Sequence, residues 1–540
     1  MADRQTEAVQ AVMDAGSIRK AAKMYLTVIG EKESKETKKR LLTFEIGETV
    51  TQVLRRNGIF PAMPCGGRGT CGKCRVKVVN GHLPVTEADN RLLTKEQRKE
   101  GLRLGCKAIL TENVTIQVEE EAEYEVLCND SKTIECQKQK EDGRELAIAI
   151  DIGTTTIALQ LLDMHSGETV RSLGELNRQR SYGADVVSRI SACNNGAEGE
   201  LRKLIRSQIA DMILRMDVKA LAKIVIAANT TMCHILMGYR CETLGSYPFK
   251  PVNIKTILTS SEVLFGDQVP RCPVEIIPGI STYVGADIVS GLVTCGFAKS
   301  DRVNVLIDLG TNGEMAIGNR EHILVTSAAA GPAFEGGNIT CGTGSVPGAI
   351  SGAKIRYGIA RVETIQNKNP VGICGSGVLE LAAELLKNQI IDEDGTFLEK
   401  YMEKGFPVAI SSTGKIVLTQ KDIREIQMAK SAVYSALCLL VKRYGAELED
   451  VDTVYLAGGF GFHVNIEKAV AIGLLPYEWK DKIVVAGNTS LQGAKEAILK
   501  KDFLQRAEAV VNVSKEISLA LEKEFNQYYM VNMHFSKKQE

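Results

Sequence analysis

The sequence predicts an α/β protein fronted by a smaller α+β module. Three observations carry that expectation. From residue 146 onward, apolar strands alternate with long amphipathic helices, the texture of an α/β domain. Inside that stretch one strand-turn-strand pattern occurs twice, around Asp151 and again 157 residues later around Asp308. Ahead of it, short strand-like segments surround a run of cysteines: Cys65, Cys71 and Cys74, with Cys106 trailing.

At 540 residues the chain is too long for one core, and roughly three or four domains are expected. A hydrophobic content of 44% and a charged content of 24% are ordinary for a water-soluble fold. No uninterrupted apolar run reaches the ~18 residues of a membrane span, and the N-terminus has no basic-then-apolar signal. The expectation is a cytoplasmic protein without a membrane partner. The net charge is zero, which gives no reason to expect nucleic acid. Of the 14 cysteines, ten lie outside the run, many in apolar segments (Cys233, Cys295, Cys438), and read as small buried thiols in a reducing compartment.

In chain order, residues 1–22 read as a leader or short amphipathic helix with no assigned role. Residues 23–29 and 41–46 read as two strands of a hairpin joined by a charged turn. A helix follows at about 49–58, ended by Asn57-Gly58. After the cysteine loop come a strand at 74–79, a turn at Asn80-Gly81, a polar helical segment at 89–100 and a final strand at 113–118. The module thus spans 23–118, as a mixed sheet with one main helix. It is basic, with 18 Lys and Arg against 10 Asp and Glu. Residues 119–144 are polar and aperiodic and read as a flexible linker. They are acidic, so either the basic module docks an acidic partner, the linker folds back on it, or both are merely solvated. Cys128 and Cys136 in the linker match no ligand spacing. The α/β part reads as two lobes, 145–302 and 303–540, the second closing in C-terminal helices.

The cysteine run is P-C-G-G-R-G-T-C-G-K-C, then thirty-one residues, then Cys106. A tight loop giving three thiolates and a distant strand giving the fourth is the ligand pattern of a [2Fe–2S] cluster. Cys65, Cys71, Cys74 and Cys106 are therefore the candidate metal ligands. Gly66, Gly67, Gly69 and Gly72 let the backbone wrap closely and aim its N–H groups at sulfide. Arg68 and Lys73 bring positive charge to a net-negative group. The competing zinc site wants paired C-x2-C knuckles, and only Cys71 and Cys74 form one. The module resembles a β-grasp ferredoxin, with a first gap of x5 that moves the likeness toward the adrenodoxin type.

The two hairpins are L-A-I-A-I-D-I-G-T-T-T and N-V-L-I-D-L-G-T-N-G-E. A strand that ends in Asp and turns through Gly-Thr presents backbone N–H groups and hydroxyls to phosphate oxygens. Its carboxylate can hold Mg²⁺ through waters or orient an attacking water. One such hairpin can be a plain turn; two at matching places can clamp a polyphosphate. A third piece, V-Y-L-A-G-G-F-G (454–461), is an apolar strand running into glycines that suits close approach to an adenosine. This order resembles the acetate-and-sugar kinase, Hsp70 and actin (ASKHA) superfamily, a duplicated ribonuclease-H-like fold. The resemblance implies ATP and Mg²⁺ as ligands, with Asp151 and Asp308 positioning metal and water. It places Gly153, Thr154, Thr155 and Thr156 in the first phosphate hairpin, and Gly310, Thr311, Asn312, Gly313 and Glu314 in the second. Gly458, Gly459 and Gly461 fall in the adenosine loop. Lesser candidates are Cys374-Gly-Ser-Gly377 as nucleotide contact or helix entry, and residues 330–337 and 341–345 as a loop over the cleft. Asn229-Thr-Thr-Met232 is expected as an inter-lobe connection and Asp287 as a supporting cleft carboxylate. The six histidines show no ligand spacing.

A one-electron carrier joined to a nucleotide clamp has a physical rationale. A plant-type cluster sits near about −400 mV, and each ~59 mV uphill costs tenfold in equilibrium. A nucleotide-driven conformational cycle can make such a transfer complete. From about 25 to 510 the chain resembles the reductive activators of corrinoid proteins, ferredoxin–ASKHA fusions. That resemblance implies return of an inactive Co(II) corrinoid to Co(I) on a partner protein, fed by an external low-potential electron donor. The linker is too short for the extra domain of larger members. With Cys438 the last cysteine, no C-terminal [4Fe–4S] run exists, so one cluster is expected. A 2-hydroxyacyl-CoA dehydratase activator, a cluster-gated redox sensor and an ordinary kinase remain alternatives, and a homodimer stays open.

Overall fold

The computed structural model describes residues 23–29, 39–118 except 62, and 144–535 except 311, 413 and 459–463. The expected leader, the linker and its two cysteines lie outside the described residues. Two compact units result, one holding strands β1–β5 and the other β6–β22.

The N-terminal unit is one mixed sheet. Its strands are β1 (Met24–Ile29), β2 (Lys39–Phe44), β3 (Arg75–Asn80), β4 (Leu102–Leu104) and β5 (Val114–Val118), in the order β2-β1-β5-β3-β4. The central pair β1 and β5 is parallel and the other neighbours are antiparallel. Alternation makes the inner face: Leu26 and Val28, Leu42 and Phe44, and Val114, Ile116 and Val118 are buried together. Helix α1 (Val50–Arg56) covers that face with Val50, Val53 and Leu54, and starts in a capping box between Thr49 and Gln52. The strand expected at 41–46 runs 39–44 instead. The polar segment expected as one helix over 89–100 is two, α2 (Glu87–Leu92) and α3 (Lys95–Lys99). Leu93 and Thr94 are extended, and the Thr94 side chain caps α3. Nothing in the sequence pattern marks β4, whose three residues are too few to show alternation.

In the second unit two six-stranded sheets share one five-stranded topology, each with a sixth strand at a different edge. The first sheet has β6 (Leu146–Ile152), β7 (Thr156–Asp163), β8 (Thr169–Leu176), β9 (Lys223–Ala228), β10 (Ile257–Ser260) and β11 (Pro273–Ile276), in the order β10-β11-β9-β6-β7-β8. The second begins with β12 (Asn304–Leu309), β13 (Gly313–Gly318) and β14 (Ile323–Ala328). The chain then adds a small sheet of β15 (Ala349–Arg356), β16 (Ile359–Thr364) and β17 (Gly372–Ile373) and a hairpin of β18 (Phe406–Ser411) and β19 (Gly414–Leu418). It returns with β20 (Thr453–Ala457), β21 (Ile483–Gly487) and β22 (Ser514–Glu516), giving β21-β20-β12-β13-β14-β22. In both sheets an antiparallel meander of three is extended, beyond its first strand, by two parallel strands.

The helices that matter for the site are α4 (Val186–Ala192), α5 (Thr230–Met237), α6 (Ala286–Thr294), α7 (Gly375–Lys387), α8 (Gln420–Tyr444), α9 (Thr489–Leu499) and α10 (Phe503–Val513). One apolar core spans the two sheets: Ala149 and Ala227 of the first, Leu306 and Ala316 of the second, with Ile288 and Leu292 of α6 and Leu491 and Ala494 of α9. Helices α6 and α9 cross inside it, and glycines permit the approach. A Cβ on Gly291 would lie 2.8 Å from Thr489 Oγ1, and one on Gly493 would overlap Ser290. A second core, with Phe334, Leu379, Phe406, Leu437 and Trp479, lies under α7 and α8.

Candidate functional site

The cysteine loop stands between α1 and β3, and Cys106 follows β4. Gly66, Gly67, Gly69 and Gly72 all have positive φ, between 60 and 85°, a conformation an L-residue adopts only with strain. Three arginines hold the loop by its carbonyls: Arg68 Nε donates to Cys65 O (3.0 Å), Arg75 Nε to Gly72 O (2.9 Å) and Arg91 Nη2 to Gly69 O (2.8 Å).

The thiols fall into two pairs. Cys65 and Cys71 have sulfurs 3.3 Å apart, and Cys74 shares a hydrogen bond with Cys106. Burial would raise the Cys65 thiol, but hydrogen bonds from the backbone N–H and side-chain groups of Thr70 and Cys71 outweigh it and bring it to about 6. Burial raises Cys71. The bond with Cys106 lowers Cys74 to about 7, and the same bond raises Cys106. Among the described residues, no three His, Cys, Asp or Glu side chains group to hold a single metal ion. Two thiol pairs suit two iron atoms better than one zinc. The donor set and the N–H-rich loop fit a [2Fe–2S] cluster.

The twin hairpins put Asp151 and Asp308 at the carboxyl ends of β6 and β12, each flanked by a parallel strand: Asp151 pairs with Ala227 and Asp308 with Ala457. That is the crevice where open α/β sheets bind ligands. The turns differ by one residue: Gly153 N donates to Thr156 O, but Gly310 N donates to Asn312 O, both at 2.9 Å. The first turn is held from behind. Asn229, which caps α5, donates to Thr154 Oγ1 (3.1 Å), and the buried Arg189 of α4 donates to Thr154 O (2.5 Å). Thr155 Oγ1 donates to Glu335 Oε2 (3.3 Å). Asn229 thus braces the first hairpin turn from the junction of β9 and α5, within one lobe, and is not an inter-lobe connection. Asp287 lies in the first turn of α6, and residues 374–377 open α7. Gly458 follows β20 directly, at φ 89°, where a Cβ would stand 2.5 Å from Asp308 Oδ1. Thr311, Gly459 and Gly461 lie outside the described residues.

Five carboxyls gather here. Asp151 is pinned across the sheets: Asn488 Nδ2 donates to Oδ2 (2.9 Å) and Ser490 Oγ to Oδ1 (2.6 Å). Burial pushes its pKa up, and these two donors pull it back. Burial, then Asp287, Asp151 and Glu335, push Asp308 up to about 7. Asp287 also rises to about 7, from burial first and Asp151 among the rest. Glu314 rises well above its usual range through burial and the nearby Asp287 and Asp308. Each carboxyl is half-buried, with a part-open face. So much negative charge with so little counter-charge asks for a cation. Mg²⁺, which keeps several waters and takes few direct carboxylates, suits a set in which no three carboxyls converge.

Sequence reasoning missed Arg189, Asn488 and Ser490, and gave Glu335 only as part of the expected loop over the cleft at 330–337. Only Asn488, placed before a helix, carried a signal, as a cap after an apolar strand.

A ferredoxin-like module and a duplicated two-lobed fold with twin carboxylate hairpins define an iron–sulfur protein of the ATPase-type class. Family models agree. The "2Fe-2S iron-sulfur cluster binding domain" matches residues 35–111, the "RACo middle region" 146–300, and the "C-terminal domain of RACo the ASKHA domain" 302–540. The chain is 31% identical to the corrinoid activation enzyme RamQ of Eubacterium limosum over 72% of this chain and 70% of that one. It is 26% identical to the [Co(II) methylated amine-specific corrinoid protein] reductase of Methanosarcina barkeri, over 72% and 76%. A solved reductive activator for a corrinoid, iron–sulfur protein superposes with a TM-score of 0.67 at 26% identity, covering 94% of this chain and 98% of its own. The chain belongs to the family of corrinoid activation enzymes.

Proposed function

We propose that this chain is an ATP-dependent reductive activator. Cys65, Cys71, Cys74 and Cys106 would hold a [2Fe–2S] cluster, which would supply the one electron that takes the Co(II) corrinoid of a partner protein to Co(I). Nucleotide binds between the hairpins of Asp151 and Asp308. Gly153 to Thr156, Gly310 and Asn312 to Glu314 line its phosphates, and Gly458 lies toward the nucleoside; Thr311, Gly459 and Gly461 are proposed as further contacts from the sequence pattern alone. Asp151, held by Asn488 and Ser490, would hold Mg²⁺. Asp308, near neutral in its proton affinity, orients the attacking water and can accept its proton. Each residue named here is a proposed ligand or catalytic group.

The observation that carries the reading is the presence, in one chain of this family, of two thiol pairs and two carboxylate hairpins. Among the described residues no helix is long and apolar enough to cross a membrane. The test mixes the cluster-loaded protein with a Co(II) corrinoid protein, ATP, Mg²⁺ and a titanium(III) reductant, and follows the cobalt spectrum. Co(I) should form, and should not form without ATP. If it forms equally well without ATP, the coupling is refuted; if ATP turns over but cobalt stays Co(II) with every candidate corrinoid protein, the acceptor is wrong.

A further inference from the structure

The rim of the cluster loop is cationic and has no carboxylate of its own. Arg68, Lys73, Arg75 and Arg91 are exposed, and Lys107 is half-buried with its stem over Gly69. Among the described residues of this unit, the ion pair found joins Arg56 to Glu48. None of the five rim cations has a carboxylate within 4.0 Å among the described residues. The three arginines each use one nitrogen on a loop carbonyl, which fixes where their charge stands. The helix-starting acids Glu87 and Glu96 are exposed, and Asp89 is buried, its carboxylate occupied by Leu104 N and the Thr86 cap. The unit is strongly basic and surrounds the point where an electron must enter.

We propose that this rim is the docking surface for the external electron donor, and that the donor is a carrier protein with an acidic face. Complementary charge steers diffusional encounter and fixes orientation more than it adds final affinity. It also brings a second negatively charged redox centre toward this one, which without the five cations would be repelled. The step itself balances simply: the reduced carrier loses one electron, the cluster of this chain gains it, and no proton moves. The inference rests on the cluster reading above but not on the corrinoid acceptor, which the test leaves out.

The probe is a reduced acidic plant-type ferredoxin, mixed in stopped flow with the oxidised full-length protein between about 0.01 M and about 0.5 M salt. The second-order rate of cluster reduction should fall steeply with salt. The variant Lys73→Glu/Lys107→Glu leaves the three arginine ties intact; its visible spectrum reports whether the cluster is retained. At low salt it should accept electrons from ferredoxin about tenfold more slowly, and bind the oxidised carrier more weakly by calorimetry. With the reduced methyl viologen radical cation the sign should invert, because a cationic reductant is repelled by the wild-type rim. Slowing by the same factor with both reductants would mean an altered cluster potential and would overturn the proposal. So would a ferredoxin rate indifferent to salt, or a variant that loses its cluster when Lys73→Gln/Lys107→Gln, which keeps it, shows no change in rate.

Discussion

Asp308 and Asp287 are carboxyls whose proton affinity the fold has lifted to near neutrality, by burial first, then by Asp287 and Asp151 on Asp308 and by Asp151 on Asp287. Unfolded, both ionise above about pH 4. Between there and about pH 7 the folded state binds more protons than the unfolded one, so stability falls as pH rises through that window and levels off above it. The nucleotide-free protein should therefore melt at a lower temperature at pH 8 than at pH 6. Asp308→Asn, followed by calorimetry, should raise the melting temperature at pH 8 and flatten the slope, while ATP hydrolysis drops by at least about a hundredfold. An Asp308→Asn variant no more stable than the parent at pH 8 would mean the carboxyls do not repel. Asp151 tests the opposite pull. Ser490→Ala removes a donor that lowers its pKa. The acid limb of the pH–rate profile should then move to higher pH by up to ~1 unit, a shift that a merely structural role for Ser490 would not produce.

At the scale of the element, two glycines with nearly the same backbone separate strain from site. Gly458 has φ 89° and a would-be Cβ 2.5 Å from Asp308 Oδ1; Gly445, the C-terminal cap of α8, has φ 84° and open space around it. Gly445→Ala should cost only the backbone term, about 1 kcal/mol, with nucleotide affinity unchanged. Gly458→Ala should cost more and weaken ATP binding at least about tenfold, because Asp308 must move; equal effects of the two on a nucleotide titration would refute the close approach. The same contrast explains what was legible in sequence. The strands ending in Asp151 and Asp308 announce themselves, because apolar runs meeting Asp-x-Gly-Thr twice are a repeat of side-chain chemistry. Their pairing with β9 and β20 is not, because parallel neighbours come from segments about 75 to 150 residues away along the chain. For that reason Asn229 looked like a connection between lobes when it holds the first turn. Arg189 gave no signal at all: one arginine in V-V-S-R-I-S-A reads as the solvent face of a helix, and only the fold buries it against Thr154. In the small module the cysteine spacing was plain. Strand β4 was not, since three residues carry no period, and Thr94 is a helix cap only because Leu93 before it is extended.

For the whole molecule, the two units have separate hydrophobic cores, one built on Leu26, Val53 and Ile116, the others on the paired sheets. Each should fold alone. A fragment of residues 1–118 should bind the cluster with the spectrum of the parent and have no affinity for nucleotide. A fragment of residues 144–540 should bind ATP and contain no iron. Covalent joining matters if electron delivery requires both units at one acceptor. With residues 119–144 as the proposed flexible linker, the two units would meet at an effective concentration on the order of millimolar. The two fragments mixed at about 1 μM should then form Co(I) some 10²–10³-fold more slowly than the intact chain, with the rate rising in proportion to fragment concentration. The variant pair Cys71→Ser and Asp308→Asn reports on the same point inside the full chain. The first should keep nucleotide binding and lose cobalt reduction, and the second should keep a reducible cluster and lose it equally. If the mixed fragments matched the intact chain at 1 μM, the ATPase would be acting on the corrinoid protein alone and the cluster unit would be a free carrier. The fusion would then be a convenience of expression and not part of the coupling.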